Sequence, residues 1–106
     1  MRVVAVLSAV FSLATQPMPA VMERIAKCET KNDPRHATRD FISMYGIRRS
    51  VWSEYKPRWV RPVARRGFRG ERLPSVVEQR AVALEIARKA GLSAWECWRN
   101  YGWVRG

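Results

Sequence analysis

Glu29 directly follows Cys28 beside an apolar stripe at helical spacing, and a second cysteine, Cys97, stands near the far end of the chain. A carboxyl group held among apolar side chains keeps its proton to higher pH than one in water, and cleavage of a glycosidic bond requires a proton donor of that kind. Glu29 has the setting, since its neighbours at helical spacing are Met22, Ile25 and Ala26. Other glutamates have simpler roles. Glu78 and Glu96 each follow a serine by three positions, as capping residues do; Glu85 shares a helix face with Arg88 and Lys89; Glu54 and Glu71 adjoin basic segments. The alternative for Glu29 is a solvated carboxylate at a helix end. A second carboxylate about 6.5–9.5 Å from the acid is needed only by inverting hydrolases. Asp40 is the candidate, because it lies past a polar loop able to fold back over a cleft; its alternative is a structural role in that loop. Tyr45, Trp52 and Trp98 are candidates for stacking on sugar rings, with core packing as the alternative.

The elements that must position these groups read as helices. Val21, Ile25 and Cys28 recur at spacings of four and three, and Met22, Ala26 and Glu29 continue the adjoining stripe, so a helix is expected over 21–29. Asn32-Asp33-Pro34 then signals a turn within a polar loop. Residues 43–47 have no clear period, and 50–55 reads as a short helix stopped by Pro57. Over 56–72, Pro57, Pro62, Gly67 and Gly70 interrupt any helix, while Lys56, Arg58, Arg61, Arg65, Arg66, Arg69 and Arg72 face only Glu71 as counter-charge. This is a basic excursion. Ser75 and Glu78 form a capping box ahead of Val77, Ala81, Leu84, Ile86 and Ala87, so a helix is expected over 74–90 with Gly91 as its stop. Ser93 and Glu96 repeat the box for a last helix carrying Trp95, Cys97, Trp98 and Tyr101. No strand pattern or internal repeat is visible. The expectation is an all-α, or mainly α, single domain.

At 106 residues and 47% hydrophobic composition the chain suffices for one modest core. Its formal charge of +11 favours anionic partners of any kind: nucleic acid, a membrane surface or acidic envelope polymers. The first residues narrow the compartment. Met1-Arg2 is a short positive start and 3–14 is an uncharged run, a secretory signal pattern too short for the roughly 20 residues that span a bilayer. Cleavage is expected after Ala14 or after Ala20, leaving a catalytic domain over 21–106; a buried N-terminal helix is the alternative. In an exported chain two cysteines point to a Cys28–Cys97 disulfide, with two free thiols as the other option. Two cysteines and the single His36 lack paired zinc-ligand spacing, and neither metal nor cofactor is expected.

The order of these blocks resembles one family. Ile25-Ala26-Lys27-Cys28-Glu29-Thr30 is similar to the motif around the catalytic glutamate of resuscitation-promoting factors and related lytic transglycosylases of the lysozyme superfamily, where a cysteine precedes the glutamate. Ser43-Met44-Tyr45-Gly46-Ile47, followed by Ser50-Val51-Trp52, resembles the family's Gly-Leu-Met-Gln-Ile-like segment with its later Ser/Thr-Trp. Glu78-Gln79 matches its Glu-Gln-containing helix, and Ala94-Trp95-Glu96-Cys97 its closing Trp and Cys, where the resemblance implies pairing with Cys28. There are departures. Thr30-Lys31-Asn32 stands where the family has Ser-Gly-Gly or similar, Gly46 stands in place of the glutamine, and the basic excursion has no counterpart in compact members.

The resemblance implies a small lysozyme-like helical fold with one disulfide, and a peptidoglycan-cleaving glycosidase that works through Glu29 alone, by transglycosylation or hydrolysis. The expected partner is bacterial peptidoglycan, with anionic wall polymers or a membrane surface as further partners, acting as a monomer in the secreted or envelope space. The rival reading is a small basic nucleic-acid-binding module, with arginines of the excursion on phosphates and Trp59 or Phe68 on bases. It leaves the signal-like start, the cysteine pair and the Glu29 context unexplained, so nucleic acid is not the expected partner. A membrane-disrupting cationic protein that retains its N-terminal segment is a third reading.

Overall fold

Helix α1, Ala20–Thr30, forms where the apolar spacing expects it and buries Met22, Ile25 and Ala26. The computed structural model describes residues 18–106, so the expected export segment and its first cleavage site lie outside the described residues. Glu23 in the first turn and Lys27 in the last complement the helix dipole. The helix ends because Lys31 and Asn32 both turn left-handed, at φ 59° and 61°, which lets the Asn32 N–H reach back to the Ala26 carbonyl at 3.1 Å. Thr30 ties this end to the next element: its hydroxyl donates to the Met44 carbonyl at 2.6 Å.

That next element is a small antiparallel hairpin, β1 Phe41–Ile42 and β2 Ile47–Arg48, pairing Phe41 with Arg48 and Ile42 with Ile47. No strand is expected there from the sequence. Strands of two residues are too short for an alternating pattern to register, so only the turn residues betray them. Ser43 at φ 78° and Gly46 at φ 58° make the turn, closed by a 3.0 Å bond from the Gly46 N–H to the Ser43 carbonyl. Helix α2, Arg49–Tyr55, follows at once and ends before Pro57, as expected.

The basic segment 56–72 contains no helix or strand but is fastened to the core. Val60 is buried beneath it, and its Arg61 carbonyl accepts from the Trp52 indole at 3.1 Å. Arg49, itself buried, uses all of its guanidinium donors. It makes two bonds to Glu71, at 2.6 and 2.8 Å, two to the Thr38 carbonyl and one to the Ala64 carbonyl. Glu71 is therefore not the counter-charge of its neighbouring arginines: it belongs to Arg49, and Arg61 pairs with Glu78 instead. A side chain at Gly67 would lie 2.4 Å from the Thr38 carbonyl oxygen, so only glycine fits that crossing.

Helix α3, Val76–Ala90, starts with the full Ser75–Glu78 capping box and stops at Gly91, φ 85°. Of the expected stripe, Ile86 is buried and Ala81 and Ala87 pack against the core, while Val77 is exposed and Gln79, Val82 and Ala83 complete the buried face. Gln79 can lie in that face because its amide is fully partnered inside. Beyond Gly91 the second expected capping box does not form. A 3₁₀ turn, Leu92–Ala94, takes up Ser93, and Trp95 becomes the N-cap of α4, Glu96–Asn100, with a last short helix α5, Gly102–Arg105.

Cys28 and Cys97 form a disulfide with Cα atoms 6.1 Å apart, joining the end of α1 to the start of α4. The core is continuous across α1, the hairpin, Trp52, α3, Trp95 and Val104. The described residues are thus mainly helical with one disulfide, and none of their helices is long and apolar enough to cross a membrane.

Candidate active site

The last turn of α1 is held on three sides. The disulfide pulls Cys28 toward α4, Thr30 grips the hairpin turn, and the backbone of Gly46 packs against Glu29 so closely that a Cβ there would stand 3.3 Å from the Glu29 Cβ and 3.4 Å from Oε1. The hairpin turn is fixed in its own right by Gln79, whose side-chain oxygen accepts from the Met44 N–H at 2.8 Å while its amide donates to the carbonyls of Pro34 and Pro74. Glu29 thus projects from a rigid frame.

Its carboxylate accepts from the Cys97 N–H at 3.2 Å. Burial is the largest influence on its proton and raises its pKa above the ordinary carboxyl value. The Cys97 N–H opposes this by favouring the ionised form; the nearby charge of Glu96 adds to the rise, and Arg99 and His36 counter it. The net direction is upward, which suits a proton donor near neutral pH.

Two depressions meet at this carboxyl group. One, of about 800 Å³, is lined by Lys27, Lys31, Asn32, Tyr101 and Trp103 together with both cysteines. The other, of about 200 Å³, lies between the hairpin and the segment from Ala94 to Arg99, against Phe41, Gly46, Ile47 and Trp95. Glu29 and Glu96 line both. A chain-like ligand laid from one depression into the other would pass over Glu29.

The other candidate residues lie elsewhere. Asp40 is exposed and lines a neighbouring basic depression with Arg49, Ser50, Ser53, Arg65, Arg66 and Arg48, the last shared with the smaller Glu29 depression; Asp40 itself lines neither Glu29 depression. Tyr45 and Trp52 are buried, 2% and 0% exposed, and have no free face for a sugar. Tyr45 offers its carbonyl to the Trp95 indole at 2.9 Å, and the Trp52 indole donates to the Arg61 carbonyl, so both are packed into the core. Trp98 is half-buried with the Arg105 guanidinium 5.7 Å from its ring centroid, and lines neither depression. Residue type sets these aromatics apart in the sequence, but burial depends on contacts far along the chain.

Three residues beside Glu29 are not singled out by the sequence. Glu96 reads as part of a cap that does not form, and Tyr101 and Trp103 fall at or past the end of the last amphipathic pattern. The signal present is the Tyr101-Gly102-Trp103 spacing, which places two aromatics out of helical phase where a core helix would not need them. Among the described residues no group of three or more His, Cys, Asp and Glu side chains is placed to hold a metal ion. Comparison of the chain with protein-family models, with curated proteins and with solved structures gave no match.

Proposed function

We propose that this chain is a secreted, lysozyme-like enzyme that cleaves the glycan strands of peptidoglycan, with Glu29 as its general acid and then its general base. The observation that carries the reading is a half-buried carboxyl group of raised pKa, fixed by a backbone N–H, at the meeting point of two depressions. Glu29 donates its proton to the glycosidic oxygen as that bond breaks. The resulting carboxylate takes a proton either from the sugar's own hydroxyl, closing an anhydro ring, or from water, giving a reducing end. Asp40 lies outside these depressions, which favours a mechanism with one acid.

Three further features support the family resemblance. The Cys28–Cys97 pairing is the one it implies, Lys31 and Asn32 hold the left-handed conformations to which glycines in those positions are suited, and the disulfide fits an oxidising compartment. The test is mass analysis of purified peptidoglycan after treatment with wild type and with Glu29→Gln. Wild type is expected to release muropeptides and the variant about 10²–10⁴-fold fewer, the usual share of a general acid. Equal release by both removes Glu29 from the mechanism, and no release by wild type removes the activity.

One observation favours the nucleic-acid alternative: Trp59 and Phe68 are exposed on the arginine-rich segment. That reading expects steeply salt-dependent binding of single strands, unaffected by Glu29→Gln.

A further inference from the structure

Tyr101 and Trp103 are large aromatic side chains left about half exposed, at 51% and 50%, in the wall of the same depression that contains Glu29. They are not loose ends. The Val104 side chain is fully buried and its carbonyl accepts from Arg24 Nε at 2.8 Å, while Arg105 donates to the carbonyls of Trp98 and Arg99 at 2.6 and 3.0 Å. The Tyr101 N–H bonds to the carbonyl of Cys97, itself half of the disulfide, at 3.1 Å. Helix α5 is therefore tied down on both sides of Trp103, and the backbone that carries the two aromatics is anchored to α1 and α4.

A rigid aromatic with a polar tip, held half in water beside a cleft, presents a flat apolar face at little cost in conformational entropy. The apolar C–H face of a pyranose ring is a fitting occupant. The depression of about 800 Å³ falls within the roughly 300–1,000 Å³ of sites that enclose multi-ring ligands, whereas the one on the far side of Glu29 holds about 200 Å³. We propose that Tyr101 and Trp103 form a stacking platform for the longer arm of the glycan, so that the substrate is recognised as a polymer of several rings extending to one side of the scissile bond. The inference rests on the glycan-cleaving reading and adds to it a preferred substrate length and the residues that set it.

The test uses the full, oxidised chain carrying Glu29→Gln, titrated calorimetrically with soluble peptidoglycan glycan oligomers of increasing length. Tyr101→Ala and Trp103→Ala are each expected to weaken long oligomers about three- to tenfold, the scale of one aromatic contact, and to leave the shortest unchanged. Tyr101→Phe and Trp103→Phe should retain most of the affinity. Unchanged affinity in the double alanine variant at every length overturns the platform, as does an equal loss at all lengths or no binding by the Glu29→Gln parent. If an alanine variant melts below its parent, the indole resonances of Trp103 in the Glu29→Gln protein decide: they shift as a long oligomer is added, or the proposal fails. Length-dependent binding without turnover by wild type would instead leave the platform standing and remove the catalytic reading.

Discussion

A single acid that must first give a proton and then take one back works best when its surroundings neither strip the proton away nor hold it too firmly. At Glu29 burial pulls one way and the Cys97 N–H the other, and Glu96 adds to the burial effect through its charge. The folded protein consequently binds this proton more tightly than the unfolded chain does. Stability contributed at this position declines as pH climbs from the ordinary carboxyl range through the raised folded value, and Glu29→Gln should abolish that part of the decline. Activity that depends on protonated Glu29 should fall over the same interval. Replacing Glu96 by Gln removes a negative charge that both depressions share, so the alkaline limb of the kcat/KM profile on peptidoglycan should move to lower pH, by less than burial moves it the other way. An unmoved limb would mean that the two carboxyl groups do not interact. Glu29 is legible from its position between an apolar stripe and a polar loop. The exposure of Tyr101 and Trp103 is not, because Tyr45, Trp52, Tyr101 and Trp103 look alike as residue types and differ only in what the rest of the fold lays over them.

Elements with strong local grammar are legible in the chain's residues alone: the capping box that opens α3, the stop at Gly91, and the proline that ends α2. The hairpin is not, since its two-residue strands are held by partners that no local pattern announces. Gln79 is the chief of these. It satisfies the Met44 N–H and two proline carbonyls from inside the core, and through Met44 it holds the turn that presses Gly46 against Glu29. Gln79→Leu keeps much of the side chain's bulk but leaves those groups unpaired. It should destabilise by about 2–4 kcal/mol in urea unfolding, at roughly 1–3 kcal/mol for the buried Pro74 carbonyl and less for each of the part-buried Met44 N–H and Pro34 carbonyl, and any cleavage of peptidoglycan should weaken with it. A cost under about 0.5 kcal/mol would show that water replaces the amide. The failed Ser93–Glu96 box carries the opposite lesson: the pattern is present, but the 3₁₀ turn passes the capping position to Trp95.

For the molecule as a whole, the disulfide spans a sequence separation of 69 and closes most of the described chain into one loop. In the chain-entropy account such a link stabilises by about 4 kcal/mol, so the Cys28→Ser, Cys97→Ser double variant should melt well below wild type, as differential scanning calorimetry would register. A variant melting alongside wild type would mean that the core alone holds the fold. The net charge of +11 is a property of the same scale. With Glu71 committed to Arg49, most arginines of the basic segment form no ion pair among the described residues and sit on a surface fastened to the core. The bond between Cys28 and Cys97 has one more consequence, because it joins the residue preceding the acid to the residue whose N–H the acid accepts. One covalent link thus sets both where the carboxyl group starts and where its backbone donor stands.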